Sequence, residues 1–146
     1  MKIEQKLQLD VIKGERIYYA EYDEYIFISD GHVGVYLTER ELKIDKTKMH
    51  KMTGSGVPNF APQFFETNGF EAHKTRTAVD TWHDGYAIKL KANNKDVSCF
   101  VKEKFLKMFS GFTGIVIQGK KEPVYIRKFG KPYGIAMPIN IGDELE

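Results

Sequence analysis

Lys102-Glu103-Lys104-Phe105-Leu106-Lys107-Met108 repeats the pattern of an earlier segment, Lys46-Thr47-Lys48-Met49-His50-Lys51-Met52. Both spell Lys-x-Lys-apolar-x-Lys-Met. On a helix, Lys104 and Lys107 lie three apart and share one stripe while Phe105 and Met108 share the next, and Lys48/Lys51 beside Met49/Met52 does the same. The two segments begin at 46 and 102, which is 56 apart, and two Asp-Gly turns begin at 30 and 84, which is 54 apart. A hairpin through Asp-Gly, a strand and a lysine helix therefore occurs twice, and a fixed period of this kind signals a duplicated supersecondary unit.

The segments around these markers read mostly as strands. Leu7 to Ile12 alternates Leu7, Leu9 and Val11 with polar residues, which fits a half-buried strand, a helical turn near the N-terminus being the alternative. Arg16 to Tyr22 and Tyr25 to Ser29 are rich in Tyr, Ile and Phe around Asp23-Glu24 and suit a tight hairpin. Val33, Val35 and Leu37 alternate into a third strand, Leu42 to Ile44 into a short fourth, and Asp45 is an N-cap for the first lysine helix. Thr53 to Phe70 shifts to Gly, Ser, Pro and Asn, yet its Phe60, Phe64 and Phe65 argue for a connector lying on the core. Ala72 to Trp82, Tyr86 to Leu90 and Val97 to Phe100 follow as strands. The second helix covers Val101 to Phe109, and three strands, Gly114 to Gln118, Val124 to Lys128 and Gly134 to Ile141, end the chain.

These readings imply an α+β fold: a mainly antiparallel sheet with two short helices on one face, pseudo-duplicated. The 146 residues suffice for a single domain, 1–146, of two related units at about 1–53 and 71–142 with the Gly/Pro-rich stretch between them. Cys99, with no second cysteine, excludes a disulfide framework and a cysteine-rich zinc site, and points to a reducing, cytoplasmic setting. No apolar run approaches the roughly 20 residues of a membrane span, and Met1 to Lys6 is too charged for a signal peptide. The net charge of +2 makes the distribution of charge, rather than its total, the guide to partners.

The segment Ile28-Ser29-Asp30-Gly31-His32-Val33 resembles the strand and turn of bacterial DNA sliding clamps, the β subunit of the replicative polymerase, in which a Thr-Asp-Gly-His type turn recurs. Val97-Ser98-Cys99-Phe100 followed by Lys102 to Phe109 is similar to the clamp's strand and channel-lining helix. Gly134-Ile135-Ala136-Met137-Pro138-Ile139-Asn140-Ile141 is similar to its closing strand, with a Met-Pro pair between apolar residues. The resemblance implies a pseudo-duplicated sheet-and-helix unit whose two helices face DNA. A clamp subunit has three such domains and this chain has room for one, so a ring would require a homo-oligomer.

On this reading Lys46, Lys48, Lys51, Lys102, Lys104 and Lys107 form a stripe that follows the phosphate backbone of double-stranded DNA without reading sequence. Lysine offers mobile point charges, suited to sliding contact. Met137, Pro138 and Ile139 with Val33 and Val35 make an apolar groove, as the matching positions do in clamps where partner peptides dock. No catalytic motif and no cofactor are indicated. The alternatives are a protein-interaction module of the same fold that does not bind DNA, as in an accessory protein of a phage or mobile element, and a metal-dependent hydrolase built on His73, Asp80, His83 and Asp84.

Overall fold

The computed structural model describes residues 1–82 and 84–141. Among them lie three α-helices, α1 (Ile3–Ile12), α2 (Pro62–Asn68) and α3 (Glu103–Lys107). The strands are β1 (Tyr18–Tyr22), β2 (Tyr25–Ser29), β3 (Val33–Leu37), β4 (His50–Lys51), β5 (Phe70–Asp80), β6 (Tyr86–Ala92), β7 (Ser98–Lys102), β8 (Gly114–Ile117), β9 (Val124–Lys128) and β10 (Lys131–Ala136). They form one ten-stranded sheet in the order β4-β1-β2-β3-β10-β9-β8-β5-β6-β7. Every pairing is antiparallel except that of β1 with β4. The α+β class and the antiparallel sheet are as the sequence indicates.

Local chemistry explains the hairpins. Tyr22 pairs with Tyr25 across Asp23-Glu24, and Ser29 with Gly34 across the Asp30-Gly31 turn. In the second turn the Asp30 carboxylate accepts from His32 N at 2.8 Å and Val33 N at 2.9 Å, while Gly31 takes the left-handed φ of +96° that a side chain resists.

Four expectations are corrected. Leu7 to Ile12 belongs to α1, because Ile3, Leu7 and Val11 recur every four residues and all three are buried; the alternation of Leu7, Leu9 and Val11 is incidental. Leu42 to Ile44 forms no strand, although Leu42 and Ile44 pack against the core. The Lys46 to Met52 segment is a single 3-10 turn over Lys46–Lys48, followed by β4. Asp45 does cap that turn, accepting from Thr47 N at 2.9 Å. A helix would place Met49 and Met52 on one side, yet Met49 enters one core cluster and Met52 packs on the other, as an odd spacing requires in an extended chain. Finally, β10 begins at Lys131 and stops at Ala136, since Pro138 has no N–H to continue a ladder.

The sheet is covered on both faces. On the first, Ile26, Ile28, Val35, Leu37, Ile115 and Ile126 pack with Ile3, Leu7 and Val11 of α1 and Phe105 and Leu106 of α3. On the second, Phe27, Tyr36, Val116, Tyr125 and Ile135 pack with Phe65 of α2 and with Phe60. The stretch read as a connector is thus a lid on the second face, and burying Phe65 alone contributes about 2–3 kcal/mol. At the centre, β3 and β10 cross closely, Gly134 facing Val35 and Gly34 facing Ile135. A Cβ on Gly134 would overlap the Gly34 carbonyl oxygen and the Phe109 ring.

Two stability changes of opposite sign follow. Gly134→Ala must push apart backbone and ring together, and is expected to cost about 3 kcal/mol in chemical denaturation. The Tyr125 hydroxyl is buried with no hydrogen-bond partner among the described residues, and burial holds its pKa well above the ordinary tyrosine value. Tyr125→Phe is therefore expected to leave stability unchanged or raise it by about 1 kcal/mol in the same measurement.

Candidate nucleic-acid interface

The helices α1 and α3 both pack on the first face, α1 against β3 and α3 against β6 and β7. Ile3 N donates to Met108 O at 3.1 Å, tying the first residue of α1 to the end of α3. The chain reaches this arrangement through the core, since each helix turns its apolar residues into the same cluster and leaves its lysines outward. Lys6 Nζ lies 2.7 Å from Asp10, one turn along α1, and 3.7 Å from Asp30 in the β2–β3 turn. The ring of His32, from that turn, stacks near Phe105 of α3 with centroids 6.3 Å apart.

The second lysine segment is well placed around α3. Lys102 and Lys104 converge on Asp84 at 3.1 Å and 3.4 Å, and both ammonium groups sit over the Phe105 ring, at 5.3 Å and 5.8 Å. Hydrogen bonds from Lys102 and then Lys104 hold the Asp84 carboxyl below its usual range. Lys107 pairs with Glu103 at 2.8 Å. The first segment lies beyond the other end of the strand order: Lys46 pairs with Glu21 at 3.5 Å, and Lys51 is in the edge strand β4. Lys48 and Lys51 have no ion pair among the described residues.

The expected apolar groove is partly assembled. Val33 and Met137 line a cavity of 140 Å³ together with Tyr18, His32, Met52 and Phe60. Met137 N donates to His32 O at 2.8 Å, which fixes the last strand beside the Asp-Gly turn. Val35 lies apart from this cavity, fully buried in the first cluster. Pro138 and Ile139 also lie away from it, and Ile139 N donates to Phe100 O at 2.8 Å.

The hydrolase set is dispersed. His73 Nδ1 lies 2.6 Å from Asn93 Oδ1, Asp80 accepts from Trp82 N at 2.8 Å, and Asp84 is held by lysines. His73 and Asp80 lie toward opposite ends of a bulged β5, their β6 partners Lys91 and Tyr86 being five residues apart, roughly 17 Å at strand rise. His83 lies outside the described residues. Among those described, no three His, Cys, Asp or Glu side chains gather into a metal-binding group. Cys99 is buried, and burial raises its thiol pKa to about 12.

Two exposed aromatics escaped the sequence reading. Trp82, 91% exposed at φ +70°, sits at the tip of the β5–β6 hairpin, and Phe129, 79% exposed at φ +52°, sits in the β9–β10 turn. Phe129 was legible in principle, because Lys128-Phe129-Gly130-Lys131 ends in the Gly of a tight turn and puts an aromatic where Asn or Asp is usual. No helix among the described residues is long and apolar enough to cross a membrane. Comparison with known proteins found no matching family model, no similar curated protein and no similar solved structure.

Proposed function

We propose that the chain is a non-enzymatic, DNA-clamp-like module that binds double-stranded DNA without sequence specificity along the face carrying α1 and α3. The observation that carries this reading is the order of elements. A helix followed by a three-strand meander occurs twice, as α1 with β1, β2 and β3 and as α3 with β8, β9 and β10, and the meanders join where β3 pairs with β10. This supports a pseudo-duplicated unit running from Ile3 to Leu37 and again from Glu103 to Ala136. In it α3, with Lys102, Lys104 and Lys107, is one DNA-facing helix, and α1, with Lys2 and Lys6, takes the place expected of the Lys46 to Met52 segment.

Lys6, Lys102, Lys104 and Lys107 are held by partly exposed ion pairs, each contributing little to stability, so a phosphate can replace a carboxylate at small cost. Four such contacts imply a salt slope near −3.6, hence an affinity for duplex DNA that falls on the order of a hundredfold from about 50 to 200 mM salt. Fluorescence anisotropy with duplexes of unrelated sequence measures this. Lys104→Glu with Lys107→Glu is expected to weaken binding strongly, whereas Lys48→Glu with Lys51→Glu changes it little. Binding that ignores both salt and the α3 reversal would remove the proposal.

A second reading, a peptide-docking module, is favoured by the cavity beneath Met52 and Met137. Its 140 Å³ is the size of cavities that accept one benzene ring, and thioethers adapt to varied apolar groups. A short peptide with a single Leu or Phe anchor is expected to shift the methyl NMR signals of Met52 and Met137 while those of Met1 and Met108 stay in place. Shifts at neither of the first two methionines would sink this reading.

A further inference from the structure

A mixed polar and aromatic cavity lies at the end of the sheet where the β9–β10 turn meets the N-terminus. It has a volume of 550 Å³, within the range of small-molecule sites, and Lys2, Glu4, Lys128, Phe129, Lys131 and Tyr133 are among the residues lining it. Phe129 is the least expected of these. With Gly130 at φ +76° it makes a two-residue turn with both φ positive, and Phe129 occupies the left-handed region at +52°, where a bulky residue costs about 1–2 kcal/mol that Asn or Gly would spare. The ring is 79% exposed, so that cost is not recovered by burial.

Two lysines close the turn, Lys128 pairing with Lys131 across it. Lys128 Nζ donates to Ser110 O at 3.3 Å and lies 5.4 Å from the Tyr133 ring centroid, which holds it at the cavity wall. Lys131 and Lys2 form no ion pair among the described residues. On the inner side the Glu4 carboxylate faces the Tyr133 hydroxyl, and its Oε1 is shut from solvent with no hydrogen-bond partner among the described residues. Rotation of that carboxylate toward an entering N–H donor relieves the cost of the unpaired oxygen. Glu41, the other acid lining the cavity, is already engaged by the amide and hydroxyl of Thr38 at 3.0 Å and 2.9 Å.

A presented aromatic face, two cations opposed across the strand ends that carry it and a carboxylate with one unpaired oxygen in the same cavity match one ligand chemistry. We propose that this cavity binds a nucleotide: the base stacks on Phe129, its N–H edge reaches Glu4, and the phosphate lies between Lys128 and Lys131, with Lys2 nearby. Base stacking on an aromatic side chain and phosphate neutralisation by lysine are the two contacts that tolerate any base. The site shares Lys2 with the helix face while Phe129, Lys128 and Lys131 lie outside that face, and it accepts either a free nucleotide or one nucleotide of a single strand.

Titration of the full chain with adenosine monophosphate, adenosine, inorganic phosphate and a short single-stranded oligoadenylate, followed by the amide NMR signals of Phe129 and Gly130, tests this. The monophosphate is expected to shift both signals and to bind at least about tenfold more tightly than adenosine or phosphate alone, because both contacts are then made. An oligonucleotide much tighter than the monophosphate assigns the site to single strands; equal affinity assigns it to free nucleotides. Phe129→Ser and Lys131→Ala, both at the surface, should each weaken binding several-fold and leave duplex binding unchanged. Glu4→Gln should alter the preference among the four bases while retaining affinity for phosphate. Absence of any shift at millimolar nucleotide, or binding unaffected by Phe129→Ser, would overturn the proposal.

Discussion

The antiparallel pairing of β3 with β10 is the one ladder that joins the two halves of the sheet. On one side of it lie β4, β1 and β2, and on the other β9, β8, β5, β6 and β7. Each strand has a glycine at the seam: Gly134 admits the Gly34 carbonyl oxygen and the Phe109 ring, and Gly34 admits the Phe27 ring. Those two rings belong to opposite faces of the sheet, so the seam sets the depth of both cores at once. The two helices reach the first face by different routes, α1 packing on β3 of the meander that follows it and α3 on β6 and β7, the strands before it, and their ends meet where Ile3 N donates to Met108 O.

Electrostatics on the helix face is local and soft. Lys6, Lys102, Lys104 and Lys107 each have a carboxylate within 4 Å, and several of these partners come from other elements: Asp30 from the β2–β3 turn and Asp84 from the β5–β6 turn. The two Asp-Gly turns that looked like markers of a period thus end up as counter-charges beside the two helices. Such pairs orient ammonium groups without committing them, and that is useful to a surface that exchanges partners.

Much of the strand content was legible because its signals are local: aromatic and β-branched runs interrupted by Asp-Glu, Asp-Gly and Asn-Asn turns. The α3 segment was legible in part: Phe105 and Leu106 turn into the core from a helix, but that helix is Glu103–Lys107, and Val101 and Lys102, read as its first residues, belong to β7. The repeat was harder. Lys46 to Met52 shares its three lysines and last methionine with Lys102 to Met108, but Met49 and Met52 are drawn to opposite sides of the sheet, and that tertiary demand outweighs a helical pattern over seven residues. In α1 the decisive residue was Ile3, which lies outside the window read as a strand and changes the period from two to four. The groove residues were half legible: Val33 and Met137 meet because Met137 N bonds to His32 O, whereas Val35, one step along the same face of β3, is sealed in by α1. Phe129 was missed because turn chemistry explains glycines and lysines but gives no reason for a phenylalanine.

The ends of the sheet carry a further consequence. An open sheet of ten strands has two borders where backbone groups lack a ladder, and such borders invite strands from other molecules. Here one border is β4, two residues long with both side chains exposed, and the other is β7, whose Phe100 carbonyl is already taken by Ile139 N. A second copy docking by strand addition would find a single rung at one border and a blocked rung at the other. Brevity on one side and a backbone clasp on the other leave the molecule poorly suited to growing its sheet, and they favour contacts made through side chains.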